Sequence, residues 1–229
     1  MSRGEGGGKT GAPRQLKTRL KTARKRTVSS QRWLERQLND PYVAAAKAGG
    51  YRSRAAFKLQ QMDERYHLLR PGQRIVDLGA APGGWTQVVA KAIGAGGHLV
   101  AIDVTPMEPV PGAAILLLDF LDEGADAAII SALGGEADGV LSDMAAPATG
   151  HRQTDHLRIM ALAEAAAGFA SQVLAPGGFF LCKVLQGGTE RTLLDALKRD
   201  FATVRHVKPA ASRADSAELY VLATGFRGG

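Results

Sequence analysis

The apolar run Ile75-Val76-Asp77-Leu78 passes without a break into Gly79-Ala80-Ala81-Pro82-Gly83-Gly84-Trp85. The first part reads as a buried parallel strand and the second as a tight glycine turn. Trp85 to Ile93 then continues as a helix. Glycines carry no Cβ, so backbone at such a turn can approach a ligand closely. The free N–H groups of the following helix face the same spot. The stretch predicts a small-molecule pocket at the start of a Rossmann-like sheet.

The chain around it alternates. Strands are predicted at 74–79, 98–104, 113–119, 138–143 and 179–185, with helices at 84–93, 124–133, about 155–174 and 189–200. Alternation of this kind means a mostly parallel sheet with helices on both faces. Strands at 201–208 and 217–224 close the chain with no helix-length segment between them. A parallel pair needs a crossover of about a dozen residues, so these two are expected to be antiparallel. Upstream, Ser29 and Ser30 cap a short helix over Gln31–Leu38, which Asn39-Asp40-Pro41 ends. Tyr42–Lys47 reads as a second short helix closed by Gly49-Gly50, and Arg54–Tyr66 as a third.

A chain of 229 residues suits one domain with an appendage. The appendage is visible in the charge. Residues 1–40 hold 11 Lys or Arg against 3 acidic residues, whereas the remainder holds 18 against 19. The whole basic excess therefore lies at the start. The expected organisation is a basic, disordered tail over 1–28 and one domain over 29–229. Such a tail suits contact with phosphates; a solvated tail and an Arg-rich targeting segment are the other readings. The single cysteine, Cys182, forms no internal disulfide and fits a reducing, cytoplasmic setting. No CxxC or HExxH occurs and the five histidines lack ligand spacing, so no metal is expected. No apolar run approaches the ~20 residues that span a bilayer.

Three strands finish on an aspartate, at Asp103, Asp119 and Asp143. Ligands of doubly wound sheets sit beyond the carboxyl ends of the strands. Asp103 follows Gly84 by 19 residues, the place where a Rossmann acid hydrogen-bonds ribose hydroxyls. An adenosine-containing cofactor is expected; a lone strand-end Asp is otherwise a turn former or helix cap. The turn lacks the GxG opening of a dinucleotide site.

As a whole, Asp77-Leu78-Gly79-Ala80-Ala81-Pro82-Gly83-Gly84-Trp85 resembles the S-adenosylmethionine motif of the FtsJ/RrmJ family of RNA ribose 2′-O-methyltransferases. The resemblance extends over roughly 30–227. It takes in Ser30 to Tyr42, Arg52-Ser53-Arg54-Ala55, Phe57-Lys58-Leu59, Ser142-Asp143-Met144-Ala145, Pro176-Gly177-Gly178, Lys183-Val184 with Gln186-Gly187, and Glu218-Leu219-Tyr220. It implies the methyltransferase variant of the Rossmann fold, with seven strands and an antiparallel last strand. It also implies S-adenosylmethionine as cofactor and, among family members, methylation of a uridine ribose in the A loop of 23S ribosomal RNA. The substrate would be ribosomal RNA or the large subunit, and nothing demands more than a monomer.

The family's Lys-Asp-Lys-Glu tetrad falls on Lys58, Asp143, Lys183 and Glu218. The residues themselves fit that role. Lys183 interrupts the apolar run Phe179-Phe180-Leu181-Cys182, and a lysine is rarely buried without a partner. A ribose hydroxyl is a weak acid that must lose its proton as it attacks a methyl group. A positioned base supplies ~10²–10⁴-fold. A lysine serves as that base only when neutral; nearby cations favour this and carboxylates oppose it. The expectation is that Lys183 accepts the proton, Asp143 and Glu218 orient its amine, and Lys58 holds ribose or phosphate. For the cofactor, the resemblance implies Gly83 and Trp85 near the methionine end, Asp103 on the ribose and Asp119 on the adenine, with Asp143 also in contact with it. Trp85 also reads as a core aromatic at a helix start.

Arg32, Arg36, Arg52 and Arg54 flank Lys58 and are expected to clamp phosphates. Family members often follow Asp-Met-Ala with Pro-Asn. Here the chain runs Asp143-Met144-Ala145-Ala146-Pro147-Ala148, which points to altered contacts around the target nucleotide. Rival readings are an enzyme acting on transfer RNA, a messenger cap or another ribosomal site, a non-catalytic assembly factor, and a NAD-dependent dehydrogenase.

Overall fold

From Arg74 strands and helices follow in the order the sequence pattern predicts. Among the described residues there is no helix between the strands His98–Asp103 and Ala113–Leu117 or between Phe201–Val207 and Glu218–Phe226. The computed structural model describes residues 31, 34, 35, 37–147, 149–186 and 191–228. The tail 1–28, the expected helix cap Ser29 and Ser30, and Arg32, Arg36 and Gly187 lie outside them. The chain divides into two compact units, Met1–Ala44 and Ala45–Gly229.

In the first unit the described residues between 31 and 38 are helical. Asn39-Asp40-Pro41 does more than end that helix. The Asp40 carboxylate accepts the Tyr42 N–H at 3.0 Å and Pro41 is the first residue of α1 (Pro41–Ala48). This is a new helix start, with an acidic cap and a proline whose missing N–H costs nothing in the first turn.

The second unit continues with α2 (Ala55–Tyr66), β1 (Arg74–Leu78), α3 (Gly84–Ile93), β2 (His98–Asp103), β3 (Ala113–Leu117), α4 (Ala125–Leu133) and β4 (Ala137–Ser142). Then follow α5 (Arg152–Val173), β5 (Leu174–Leu185), α6 (Arg191–Asp200), β6 (Phe201–Val207) and β7 (Glu218–Phe226). The seven strands form one sheet in the order β3-β2-β1-β4-β5-β7-β6. β7 lies between β5 and β6 and is antiparallel to both, while the other pairs are parallel.

One boundary differs from expectation. β5 starts at Leu174, directly after α5, rather than after the Pro176-Gly177-Gly178 turn. Ala137 pairs with Leu174 but Gly139 pairs with Phe179, so the turn is a bulge within the strand. A side chain on Gly139 would come within 2.3 Å of the Phe179 ring, which explains the glycine opposite the bulge.

Strand alternation sorts the core into two layers. Val76, Val140, Phe180, Cys182 and Val221 pack on one face with Ile129 of α4, Phe169 of α5 and Leu197 of α6. Ile75, Leu141, Leu181, Tyr220 and Leu222 pack on the other with Leu59 and Met62 of α2 and Trp85 and Val89 of α3. Asp143, Lys183 and Glu218 each lie two residues from members of the second set. They therefore belong to the face that α2 covers.

Candidate active site

Ser142 is level with Cys182, and Lys183 is level with Tyr220, across β4, β5 and β7. This register brings the strand-end acid, the strand lysine and the start of β7 together under α2. Lys183 is only 6 % exposed. Its ammonium donates to the Asp143 backbone carbonyl at 2.7 Å and lies 3.1 Å from Asp143 Oδ1. Lys58, 8 % exposed, comes down from α2 and donates to Glu218 Oε2 at 2.9 Å and to the Tyr220 hydroxyl at 3.3 Å. Tyr220 in turn donates to Asp143 Oδ1 at 2.8 Å.

The four expected residues thus form two ion pairs, Lys58–Glu218 and Lys183–Asp143, joined through Tyr220. Both ammonium groups are almost entirely out of water, where an unpaired charge is very costly. Glu218 is paired with Lys58, not Lys183, and as the first residue of β7 it lies beneath α2. Burial opposes ionisation of Glu218, but the Lys58 ammonium with its hydrogen bond, the Lys183 charge and the Ser216 hydrogen bond together hold the carboxyl below its usual range. Burial, and then the Asp143 and Glu218 charges, push the Tyr220 phenol well above its usual value.

Tyr220 is the member that sequence reasoning passes over. Its signal is weak: a tyrosine two residues after a candidate acid shares that acid's face of the strand. Asp77 is a second. It sits in the middle of β1, fully buried, and accepts the Thr86 hydroxyl of α3 at 2.7 Å. Burial, together with the charges of Asp143 and Asp103, raises its carboxyl to about 7 against the lowering effect of Thr86.

A cavity of about 370 Å³ opens beyond the strand ends beside this network. Gly79, Asp103, Asp119, Met144, Pro147 and Arg158 are among its lining residues. Asp103 holds the turn: its two oxygens accept the N–H groups of Ala81 at 2.9 Å and Thr105 at 2.7 Å. Each carboxylate oxygen has a further lone pair for a ligand hydroxyl. Asp119 lies beyond β3, not on it, in a turn in which it accepts the Leu121 N–H at 3.0 Å. The altered segment Met144–Pro147 forms a wall of this cavity. A nucleoside suits its size, its apolar wall and its two carboxylates.

Gly83 and Trp85 do not line the cavity. Trp85 is 2 % exposed, donates its indole N–H to Ala55 O at 2.9 Å and packs on Tyr220 with ring centres 5.5 Å apart. It joins α3 to α2 beneath the lysine–carboxylate network. Arg52 and Arg54 are engaged with backbone carbonyls, Arg54 with Ala211 O. Among the described residues, no three His, Cys, Asp or Glu side chains group as a metal site, and no helix is long and apolar enough to cross a membrane.

A Rossmann sheet with β7 inserted antiparallel, a nucleoside-sized cavity at the glycine turn and a buried lysine–carboxylate network define an S-adenosylmethionine-dependent methyltransferase. Residues 51–226 match the FtsJ-like methyltransferase family, and the chain belongs to it. Two bacterial proteins, each described as ribosomal RNA large subunit methyltransferase E, are similar over nearly the whole chain. The one from Parvibaculum lavamentivorans is 64% identical, over 97% of this chain and 92% of its own length. The one from Xanthobacter autotrophicus is 67% identical, over 94% and 86%. Among solved structures, one described as a ribosomal RNA methyltransferase from Plasmodium falciparum superposes with a TM-score of 0.69 at 28% identity. That match covers 78% of this chain and 100% of the other.

Proposed function

We propose that this enzyme methylates the 2′-hydroxyl of a uridine ribose in the A loop of 23S ribosomal RNA, within the large subunit. The observation that carries the reading is the network Lys58–Glu218 and Lys183–Asp143 bridged by Tyr220, beside a cavity fit for adenosine. Asp103 holds the ribose of the cofactor and Asp119 faces its adenine. Gly83 keeps the turn open near its methionine end. Bound there, S-adenosylmethionine supplies an electrophilic methyl group on a sulfonium.

Lys183 first releases to solvent the proton with which it pairs Asp143, and its neutral amine then accepts the proton of the ribose hydroxyl as that oxygen attacks the methyl group. Asp143 fixes the direction of its amine through two contacts, one from its carboxylate and one from its backbone carbonyl. Lys58, tied to the same carboxylate through Tyr220, brings a second positive charge to the network and holds the target ribose or its phosphate. Glu218 keeps Lys58 in place. The remaining acceleration comes from alignment of the reacting atoms by a site already ordered around them. The basic residues of the tail 1–28, with Arg32 and Arg36, hold RNA phosphates, and the enzyme acts as a monomer in the cytoplasm.

The test is to incubate the protein with labelled S-adenosylmethionine and with free ribosomal RNA, transfer RNA or large subunits, and then map the label. A single 2′-O-methyluridine in large-subunit RNA supports the reading. Label only in transfer RNA, or none, contradicts it.

A further inference from the structure

From the sequence, Arg52 is a candidate phosphate clamp, but its guanidinium is engaged with three backbone carbonyls. Nη1 donates to Pro82 O at 3.3 Å and to Glu108 O at 2.5 Å, and Nη2 donates to Pro109 O at 2.7 Å. The arginine's own N–H donates to Gln87 Oε1 of α3 at 2.9 Å, and Gln87 Nε2 donates to Gly50 O at 3.0 Å. A Cβ on Gly83 would come within 2.8 Å of Arg52 Nη1, so this glycine makes room for the guanidinium. The same holds next door, where a Cβ on Gly84 would lie 2.3 Å from Ser53 Oγ.

These bonds join three segments: the connection ahead of α2, the glycine turn, and the stretch after β2. Asp103 is held between the last two, by Ala81 N–H from the turn and Thr105 N–H from the stretch. α2 starts three residues after Arg52 and carries Lys58.

We infer that Arg52 is a positioning residue for the methyl donor. It fastens the two segments that orient Asp103 and sets the Lys58 helix against them, and it does not bind RNA phosphate. The inference rests on the cavity being the S-adenosylmethionine site. Three carbonyls on two segments need the planar fork of a guanidinium; a lysine offers one compact point charge.

The experiment uses the full chain with Arg52→Lys and Arg52→Gln. Calorimetry with S-adenosylmethionine, RNA binding against salt, and thermal unfolding are measured for each. Both variants should bind S-adenosylmethionine about tenfold more weakly, as expected for losing charged hydrogen bonds. RNA affinity and its salt slope should not change, and Lys should not rescue. Unchanged cofactor affinity in a folded variant overturns the inference. So does weaker RNA binding with a salt slope shallower by about 0.9, the signature of a lost phosphate contact. If neither variant folds, Gln87→Ala serves: a smaller loss of cofactor affinity supports the inference and none overturns it. Failure of the unaltered protein to bind S-adenosylmethionine overturns the cavity reading itself, and this inference with it.

Discussion

The Tyr220 hydroxyl donates to the Asp143 carboxylate at 2.8 Å and accepts from Lys58 at 3.3 Å. One phenol thereby couples two ion pairs that come from four separate elements. Its ring is fixed from below by Trp85 and it is fully buried, so the hydroxyl has little freedom to choose other partners. In a buried network of this kind the members polarise one another, and removal of one is felt by all.

Tyr220→Phe should therefore reduce kcat about tenfold while leaving the affinity for S-adenosylmethionine unchanged, since one buried hydrogen-bonding group is lost and the packing is kept. Single-turnover methylation at saturating cofactor measures this. A kcat equal to that of the unaltered protein would show that Lys58 and Lys183 act independently.

Asp77 makes stability depend on pH. Its carboxyl titrates at about 7 in the fold against an ordinary 3.8. Below the lower value both folded and unfolded chains keep the proton. As pH rises, the unfolded chain ionises first, so stability falls, and the loss is complete once the folded group ionises near 7. The loss is on the order of a few kcal/mol. Asp77→Asn keeps an acceptor for Thr86 and cannot ionise. It should flatten the decline between pH 4 and 7 and be more stable than the unaltered chain at pH 8, as read by urea denaturation. Glu218 acts in the opposite sense at lower pH: its stabilisation is present above its usual value of 4.5 and is lost as pH falls through its lowered one. A decline that persists in Asp77→Asn would assign it to another group.

The strands and their order of appearance were legible because they rest on local pattern, whereas the tetrad positions came from the resemblance to the FtsJ/RrmJ family. Lys183 stands out as a charge inside an apolar run and Asp143 as one at the end of another, and two-residue alternation assigns each a face. What was not legible depends on contacts between distant segments. Glu218 was expected beside Lys183 and pairs with Lys58, because the placement of α2 over β7 decides the partner. Trp85 reads equally as a pocket wall or a core ring until Tyr220 is known to lie against it. Arg52 looks like any surface arginine in a basic region; only the fold brings Glu108 and Pro109 within its reach. The bulge at Pro176-Gly177-Gly178 looked like a turn, since proline and glycine mark both.

Gly79 illustrates the same point and can be tested. It has φ +76°, and a Cβ there would lie 2.7 Å from both the N and Cα of Met144. Gly72 has φ +83° with nothing within 4 Å. Both Gly→Ala changes incur backbone strain of roughly 1 kcal/mol or more. Gly79→Ala should in addition push the Met144 wall of the cavity outward. It should lower the denaturation midpoint further than Gly72→Ala and weaken S-adenosylmethionine binding, which Gly72→Ala should not. Equal effects of the two changes would remove the close approach of Met144 as the reason for the glycine.

The central claim is that Lys183 takes the ribose proton within a cofactor site it does not build. Methyl transfer from labelled S-adenosylmethionine to large ribosomal subunits by Lys183→Ala, measured beside cofactor binding by the same variant, tests it most directly. The expected result is loss of at least ~10²-fold in turnover, the lower end of what a positioned base supplies, with cofactor affinity retained. Near-normal turnover in the variant, with the same ribose methylated, would contradict it.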